Sequence, residues 1–501
     1  EISLEEKLKQ ALIPVDEQPY KLPDSWVWVR LGDIGKITSG GTPTSNEKSY
    51  YGGDIIWITP ADMSKQQSSP WFSNSSKKIT NLGLQKSSAQ LIEGNSVVYS
   101  SRAPIGYVNI VKDKFTTSQG CKSVTPIKNS LMYIYYVLIE RTEDIKYRAS
   151  GTTFKEISAL EFGKTLVPLP PLNEQKRIVE KLDFLFEKTK RAKEIIEEIK
   201  VDIENRKISI LDRAFKGTLT SKWRNENKTS DVKELLKSIN DEKIKKWEED
   251  CLQAEKDGNK KPKKPIIKEV KDMIVPVDEQ PYKLPDSWVW VRLGEAIDIF
   301  RGLSYTKNDE VENGYLVLRG NNLTDNGLAF FENIYVNEKV AKKGIKVKKD
   351  DIILVASTGS SKVIGRACVA KEDYEKITIG AFLLLCRPKE NIVKNWIHYI
   401  FKSLRYRLYI SEQAKGTNIK NIKNEYLENF FIPLPPLEEQ QEIVRVLDEV
   451  LENENKVKEL LELEERIDIL EKSILHKAFK GELGTQNSND EPALELLKNI
   501  L

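Results

Sequence analysis

The sequence holds little of what metal centres, disulfide scaffolds and common hydrolases are built from. Among its 501 residues are only two histidines, His398 and His476, and four cysteines without a CxxC pair. These cysteines are Cys121, Cys251, Cys368 and Cys386. Disulfide frameworks, thiolate zinc sites, histidine-ligated metals and Ser-His-Asp triads therefore have almost no material. We expect a chain without metal in a reducing, cytoplasmic environment.

Membrane and catalytic signals are also missing. No apolar run is long enough to span a bilayer, and no charged-then-apolar leader is present. The sequence has no GxxxxGK[ST] phosphate loop and no Asn/Asp-Pro-Pro-Tyr/Phe loop of the kind that adenine N6-methylation needs. Acidic residues near a lysine carry no information in a chain that is 31% charged. The residues thus predict a chain that is not itself an enzyme.

What the sequence does have is an internal repeat. Residues 14–32 read PVDEQPYKLPDSWVWVRLG, and residues 276–294 are identical. VPLPPLNEQ at 167–175 returns as IPLPPLEEQ at 432–440, and ILDRAFKG at 210–217 returns as ILHKAFKG at 474–481. The three pairs lie 262 to 265 positions apart. The chain is therefore two copies of one unit, which determines its architecture.

Between these blocks the two copies diverge. Residues 33–166 and 295–431 share only landmarks, which pair Gly41 with Gly302, Gly106 with Gly365 and Gly151 with Gly416. One fold with two unlike surfaces suits a protein that holds two recognition surfaces in a fixed relation. The alternative is a plain gene duplication with drift in exposed parts.

The net charge of +3 hides a division along the chain. Residues 33–164 carry 16 basic and 11 acidic residues, and residues 295–431 carry 22 and 17, so each variable lobe is +5. Residues 437–480 carry 7 basic and 13 acidic residues, a net of −6. Positive lobes suit a phosphate backbone, although lysines that keep a protein in solution give the same count.

Each variable lobe is expected to mix strands and helices. Apolar runs separated by Gly, Asn and Ser predict strands at 55–59, 96–99, 107–111, 315–319, 351–355 and 381–385. Residues 131–145 and 393–410 read as helical.

A long helix is predicted after each Pro-Leu-Pro-Pro-Leu block, whose prolines position a helix start. Apolar residues alternate four and three apart, the coiled-coil period, from Ile178 to Ile210. The second copy runs from Ile443 to Ile474 and slips by one residue at Leu460. Each helix would be on the order of 60 Å long. Their seams are expected to pack on each other; the alternative is that each seam faces its own lobe.

A charged insert at residues 221–272 separates the first copy of the repeat from the second. Within it, KKPKKP at 260–265 is typical of a flexible linker. ELLK at 234–237 returns at 495–498, and LKQALI at 8–13 resembles VKDMIV at 270–275. The repeat is therefore nearly circular, which predicts a pseudo-two-fold axis with neighbouring termini.

The order of these blocks resembles the specificity (S) subunit of Type I restriction-modification systems over the full length. The resemblance is carried by LPDSWVWVRLG at 22–32, ITSGGTP at 37–43, IWIT at 56–59, the GT at 151–152, PLPPLNEQKRIV at 168–179, and AFKG at 214–217 with Trp223-Arg224. The second copy repeats nearly all of it, although RGLSY at 301–305 stands where the first has GGTPT at 40–44.

The resemblance implies an α+β fold in which two pseudo-symmetric α/β target recognition domains are joined by two long helices in an antiparallel coiled coil. Each domain would read one half of a split, asymmetric DNA site, and the coiled coil would set the spacing. Two methyltransferase (M) subunits and the restriction (R) subunits would join this chain. The chain itself would hold no cofactor, whereas the M subunits would use S-adenosylmethionine and the R subunits ATP and Mg.

We expect six parts along the chain. Residues 1–171 and 273–436 are the two recognition domains, 172–220 and 437–483 the two conserved helices, 221–272 the insert, and 484–501 a tail completing the circular repeat.

DNA contacts are expected from polar or basic residues beside glycines and turns, where backbone can approach phosphate and Arg or Asn can reach base edges. In the first lobe these are Thr42, Thr44, Arg102, Thr152, Thr153 and Lys155. In the second they are Arg301, Tyr305, Arg319, Asn321, Ser361, Thr417 and Lys420. Each could instead cap a turn. Four tryptophans shared by both copies cannot encode two sequences and are expected in the core: Trp26, Trp28, Trp288 and Trp290.

Two other functions remain open. One is a two-lobed scaffold that binds protein partners and no DNA. The other is the recognition half of a single-enzyme restriction system, which the circular repeat and the missing catalytic motifs disfavour.

Overall fold

The computed structural model describes residues 3–151, 155–324, 327–414, 420–452 and 456–501. The chain folds into two compact units. Unit 1 comprises residues 1–198 and 460–501, and unit 2 comprises residues 199–459. Each unit thus combines the lobe of one copy of the repeat with a helical segment from the other copy.

The strands of unit 1 build its lobe. A two-stranded ladder joins β1 to β9, a four-stranded sheet has the order β2-β8-β5-β6, and a three-stranded sheet has the order β4-β3-β7. The strands are β1 Val27–Arg30, β2 Gly35–Ser39, β3 Tyr51–Ile58, β4 Lys77–Ile79, β5 Ser96–Ser101, β6 Ile105–Val111, β7 Thr116–Thr117, β8 Cys121–Pro126 and β9 Leu166–Leu169.

Unit 2 repeats this plan with more strands. The ladder β10-β23 matches β1-β9, and the sheet β11-β21-β17-β19 matches β2-β8-β5-β6. A second four-stranded sheet, β12-β16-β13-β20, and the pairs β14-β15 and β18-β22 complete it. The strands are β10 Val289–Arg292, β11 Ile297–Arg301, β12 Glu310–Val311, β13 Tyr315–Leu318, β14 Leu323–Thr324, β15 Gly327–Leu328, β16 Ile334–Val336, β17 Ile352–Val355, β18 Ser357–Thr358, β19 Ala367–Val369, β20 Ile377–Ile379, β21 Leu383–Pro388, β22 Lys420–Asn421 and β23 Phe431–Leu434.

The helices range from single turns to one of 44 residues. They are α1 Leu4–Ala11, α2 Leu31–Ile34, α3 Pro60–Ser64, α4 Asn81–Gln85, α5 Leu131–Glu140, α6 Thr142–Arg148, α7 Ala159–Gly163, α8 Leu172–Phe215, α9 Ser221–Glu226, α10 Val232–Lys256, α11 Val270–Met273, α12 Glu338–Ala341, α13 Lys394–Lys402, α14 Leu404–Gln413, α15 Asn424–Glu428, α16 Leu437–Glu452, α17 Lys456–Phe479 and α18 Ala493–Ile500. All six predicted strands and both predicted lobe helices are confirmed, although a cap at Arg141 and another at Ser403 divide each lobe helix in two.

The identical blocks fold identically. In β1-β9, Trp28 lies opposite Pro168, and in β10-β23, Trp290 lies opposite Pro433. Each ladder closes its lobe where the variable chain leaves and returns. The four shared tryptophans are 2–5% exposed or fully buried, which confirms them as core residues.

Register corrects one predicted equivalence between the lobes. Gly40 N–H donates to the carbonyl of Cys121, and Gly302 N–H donates to that of Leu383. A Cβ on Gly40 would lie 1.8 Å from the carbonyl oxygen of Ser118, and one on Gly302 would lie 1.9 Å from that of Gly380. The counterpart of Gly302 is therefore Gly40, and the prediction of Gly41 was wrong by one residue.

The long helices pair antiparallel within each unit. In unit 1, the Thr189 hydroxyl of α8 donates to Glu471 of α17 at 2.5 Å, and Lys193 of α8 lies 2.7 Å from Asp468. In unit 2, Leu211 of α8 and Ile443 of α16 share one buried core. Seam residues near the lobes are buried, as predicted, but Ile199 and Leu463 are 40% and 41% exposed. The seam also serves its own lobe, since Ile178 lies in the core cluster of unit 1.

The ends of the described chain meet in unit 1. The Lys7 ammonium donates to the carbonyl of Leu501 at 3.0 Å, and α18 packs beside α1. In unit 2 the same place is taken by α10 and α11. The expected neighbouring termini are therefore confirmed.

Candidate nucleic-acid interface

In the first lobe, one predicted contact region is the turn after β2. Thr42 and Thr44 are both exposed there. The hydroxyl of Thr42 accepts a hydrogen bond from the Gln119 N–H at 3.5 Å. The turn packs closely against the backbone of Ser88. A Cβ added to Gly41 would lie only 2.2 Å from that backbone. The close packing at Gly41 thus fixes the position of the turn that carries the exposed hydroxyls of Thr42 and Thr44.

A second region of the same lobe centres on Glu156. Arg102 and Glu156 form a β-bridge, and their side chains lie 3.9 Å apart. The buried ammonium of Lys122 donates to Glu156 at 3.3 Å. Lys155 is exposed beside Glu156. The predicted residues Thr152 and Thr153 lie outside the described residues.

In the second lobe, two predicted residues line one cavity of about 530 Å³, namely Tyr305 and Arg319. Arg319 donates from Nη2 to the carbonyl of Glu332 at 2.6 Å. Burial raises the pKa of Tyr305, and the Arg319 charge opposes that rise. The phenol therefore stays a neutral donor and acceptor beside a cation.

Among the described residues, the predicted contacts Arg301, Asn321 and Ser361 are not in the lining of this cavity. Arg301 is exposed at the end of β11, and Ser361 is exposed in the loop after β18. Asn321 is exposed and donates to the Glu332 carboxylate at 3.2 Å. Thr417 lies outside the described residues, and so does the Lys420 side chain, whose backbone forms β22.

Sequence reasoning missed two features of these surfaces. One is Lys122, a buried lysine in the largely buried strand β8; its place between the buried residues Cys121 and Val124 was the available signal. The other is Phe382, which lines the cavity and is 68% exposed. Nothing in the order of the residues separates this phenylalanine from core residues nearby.

A carboxylate anchors the entry segment to the helix start in each unit. Trp26 Nε1 donates to Glu174 at 2.8 Å, and Trp288 Nε1 donates to Glu439 at 2.7 Å. Glu439 also binds Thr220 at 2.7 Å and Arg224 at 2.8 Å. Glu174 has the matching threonine, Thr485, at 3.0 Å.

The two anchors differ electrostatically. Position 489, the counterpart of Arg224, is an asparagine. Burial raises the pKa of Glu174, against hydrogen bonds from Trp26 and Thr485. The anchor of unit 2 therefore holds a paired charge, whereas that of unit 1 holds a carboxylate with neutral donors.

Within the described ranges, no group of three or more His, Cys, Asp or Glu is placed to hold a metal ion. No helix in the described part of the chain is long and apolar enough to cross a membrane. All four cysteines are free thiols, and three of them are buried.

Comparison with known proteins identifies the class. The Type I restriction modification DNA specificity domain matches the chain twice, at residues 23–201 and 285–465. The chain therefore belongs to this family. Both matches contain one entry segment, one variable lobe and the start of one long helix.

Two specificity subunits match most of the chain. The Type I restriction enzyme MjaIX specificity subunit of Methanocaldococcus jannaschii is 26% identical over 452 residues, 87% of this chain and 90% of the relative. The EcoBI specificity subunit of Escherichia coli is 25% identical over 486 residues, 94% of this chain and 89% of the relative. A solved structure from a study of complex assembly and conformational transition of the type I R-M system has a similar fold, with a TM-score of 0.66 and 22% identity. It covers 93% of this chain and 100% of that one.

Proposed function

We propose that this chain is the sequence-specific DNA-binding specificity subunit of a Type I restriction-modification complex. Each variable lobe reads one half of a split, asymmetric site. The observation that carries this proposal is the contrast between the two lobes. Their frames repeat down to single hydrogen bonds, such as Trp26 to Glu174 and Trp288 to Glu439, while their exposed loops share almost no residues.

In this proposal the contacts to DNA come from turns at the lobe surfaces. Thr42, Thr44, Arg102, Thr152, Thr153 and Lys155 serve the first half-site. The second half-site is served by Arg301, Tyr305, Arg319, Asn321, Ser361, Thr417 and Lys420. Basic side chains bind phosphate and set the register, whereas Arg and Asn can form paired hydrogen bonds with guanine and adenine edges. The +5 charge of each lobe supports this assignment.

The helical part then organises partners. Two methyltransferase subunits bind the conserved helices at 172–220 and 437–483, and restriction subunits join that core. The chain contributes recognition and no catalysis, and S-adenosylmethionine, ATP and Mg belong to the partners. The complex acts in the cytoplasm, which agrees with four free thiols. Recognition domains at 1–171 and 273–436, the insert at 221–272 and the tail at 484–501 complete this partition.

A direct test is binding of the complex with its methyltransferase subunits to random DNA, followed by selection of the retained duplexes. We expect retained duplexes to share two unlike half-sites with a fixed gap. The variant Arg301→Glu should weaken binding, whereas the control Glu226→Ala at the exposed end of α9 should not. A scaffold without a DNA role predicts no retention above that of the methyltransferase subunits alone.

A further inference from the structure

The first lobe contains a buried cation, Lys122, whose register counterpart in the second lobe is Leu384. Lys122 on β8 is 5% exposed. Its ammonium donates to the Ser101 hydroxyl at 3.3 Å, to the Gln119 carbonyl at 3.2 Å and to Glu156 at 3.3 Å. These three acceptors match the three protons of the ammonium. The charge is therefore satisfied inside the lobe.

The three acceptors come from three separate loops. Ser101 ends β5 and precedes Arg102. The Gln119 backbone N–H is hydrogen-bonded to Thr42, on the turn after β2. Glu156 follows Lys155 and pairs with Ser150 across a bridge. One amine thus ties together every described loop that carries a candidate DNA contact in this lobe.

Register identifies the counterparts in the second lobe. Tyr99 of β5 lies opposite Lys122, and Leu354 of β17 lies opposite Leu384. The backbone N–H of Ile157 donates to the carbonyl of Ser101, and the backbone N–H of Ile422 donates to the carbonyl of Ala356. Arg102 bridges Glu156, and Ser357 pairs with Asn421.

Three of the four residues at this site of the first lobe are charged, whereas all four counterparts in the second lobe are neutral. Where the first lobe has Ser101, Arg102, Lys122 and Glu156, the second has Ala356, Ser357, Leu384 and Asn421. Leu384 is 4% exposed and belongs to the apolar core. A leucine fills this position adequately, so folding the sheet does not require a lysine there. Burying an ammonium is costly, and an apolar replacement is often neutral for stability.

We propose that Lys122 is a positioning residue for recognition by the first lobe. It fixes the three loops relative to one another, so that Thr42, Arg102 and Lys155 present one defined surface to the first half-site. It does not itself touch DNA, because its side chain is enclosed. This inference rests on the proposed function and adds the residue that sets the specificity of one half-site.

The test uses the complete complex with methyltransferase subunits. Initial methylation rates are measured on duplexes that carry the preferred site or a single mismatch in either half. The variants are Lys122→Met, which keeps the apolar stem, and Glu156→Gln, which keeps the shape of a partly exposed partner. Lys114→Met is the matched control, since Lys114 forms an exposed ion pair with Glu93 in the same lobe.

We expect both variants to lose discrimination against mismatches in the same single half-site, by about tenfold, the order of one lost base-pair preference. Discrimination in the other half and all values for the control should match the parent. A merely structural role predicts an equal loss at both halves, which would overturn the inference, as would unchanged discrimination in both variants. Glu156→Gln decides the matter alone if Lys122→Met does not fold. If the parent protein shows no preference for a site in two halves, the proposed function is overturned as well. If the parent shows this preference and both variants retain it, only the inference about Lys122 is overturned.

Discussion

The indole nitrogen of Trp26 donates a 2.8 Å hydrogen bond to Glu174, a residue 148 positions away at the start of α8. The equivalent bond from Trp288 to Glu439 is 2.7 Å and spans 151 positions. In both units this bond fastens the entry of the lobe to its exit. The lobe between them can therefore change without disturbing the frame.

Removing the second anchor should destabilise the protein more than removing the first. Glu439 is fully buried and paired with Arg224, so Glu439→Ala removes the counter-charge of Arg224 and the acceptor of the Trp288 indole. We expect a loss of about 3 kcal/mol in the free energy of unfolding. Glu174→Ala leaves only neutral donors unpaired and should cost about 1–2 kcal/mol.

Urea unfolding of the purified chain measures both losses. The exposed Glu226, 4.0 Å from Lys222, supplies the control, and Glu226→Ala should lie within about 0.5 kcal/mol of the parent. Equal losses for the two anchors would mean that the Arg224 pair adds nothing.

The carboxylate of Glu295 binds the insert through two lysines, and protonation of this carboxylate in acid should weaken that attachment. Burial alone would raise the pKa of Glu295, but hydrogen bonds from Lys268 and Lys243 outweigh it and hold the pKa of this carboxyl below its ordinary value. A depressed pKa in the folded state stabilises the protein above the unfolded pKa, and this stabilisation is lost as the pH falls. Glu295→Gln should therefore be destabilised at neutral pH and lose less stability than the parent between about pH 5 and pH 3.

The same titration on Glu174→Gln gives the opposite sign. Burial raises the pKa of Glu174, so its contribution in the parent falls as the pH rises through that raised value. The free energy of unfolding of Glu174→Gln minus that of the parent should therefore rise with pH. The same difference for Glu295→Gln should fall with pH. Parallel curves for the two variants would contradict both assignments.

Much of the fold could be predicted because its signals are local or repeated. The strand at 107–111 and the core tryptophans follow from apolar runs and from identity between the copies. The one-residue error at Gly41 arose because adjacent glycines look alike in sequence. Only the hydrogen bonds of Gly40 to Cys121 and of Gly302 to Leu383 decide between them.

The interface was less accessible to sequence reasoning because it is assembled from distant loops. Tyr305 and Arg319 were chosen separately, and folding brings them to one cavity. Lys122 was not chosen, because no strand was predicted at 121–126 and the order of the residues does not show that its side chain is buried. Its role depends on Gln119 and Glu156, which tertiary structure places at its amine.

The DNA target should be split and asymmetric. Two lobes with one frame and unlike loops should read two unlike half-sites separated by a gap. Sequencing of methylated sites in DNA modified by the complex measures this directly. A continuous motif, or a palindrome with identical halves, would contradict the account.

Helix length should set the gap. One heptad inserted after Ile199 and another after Leu463 keep the seam and add about 10 Å to each helix. The preferred spacer should lengthen by about three base pairs at 3.4 Å each, with both half-sites unchanged. A heptad in one helix alone is the control and should reduce activity without a new spacer. An unchanged spacer in the double insertion would show that the helices do not set it.

The central claim is that each lobe reads its half-site independently of the frame, and lobe exchange tests it most directly. Residues 34–166 are replaced by a second copy of residues 296–431. This junction retains Asp33 and leaves out Glu295, because its partners Lys243 and Lys268 are not transferred with the lobe. Asp298 keeps Lys389 as a partner, because both residues are transferred, and loses its ion pair with Lys246 of the insert.

The measurement is the methylated motif of the chimera in complex with its methyltransferase subunits. The account predicts an inverted repeat of the second half-site, with the spacing of the parent. A chimera that folds and binds its partners yet methylates only the parental sequence would contradict the account.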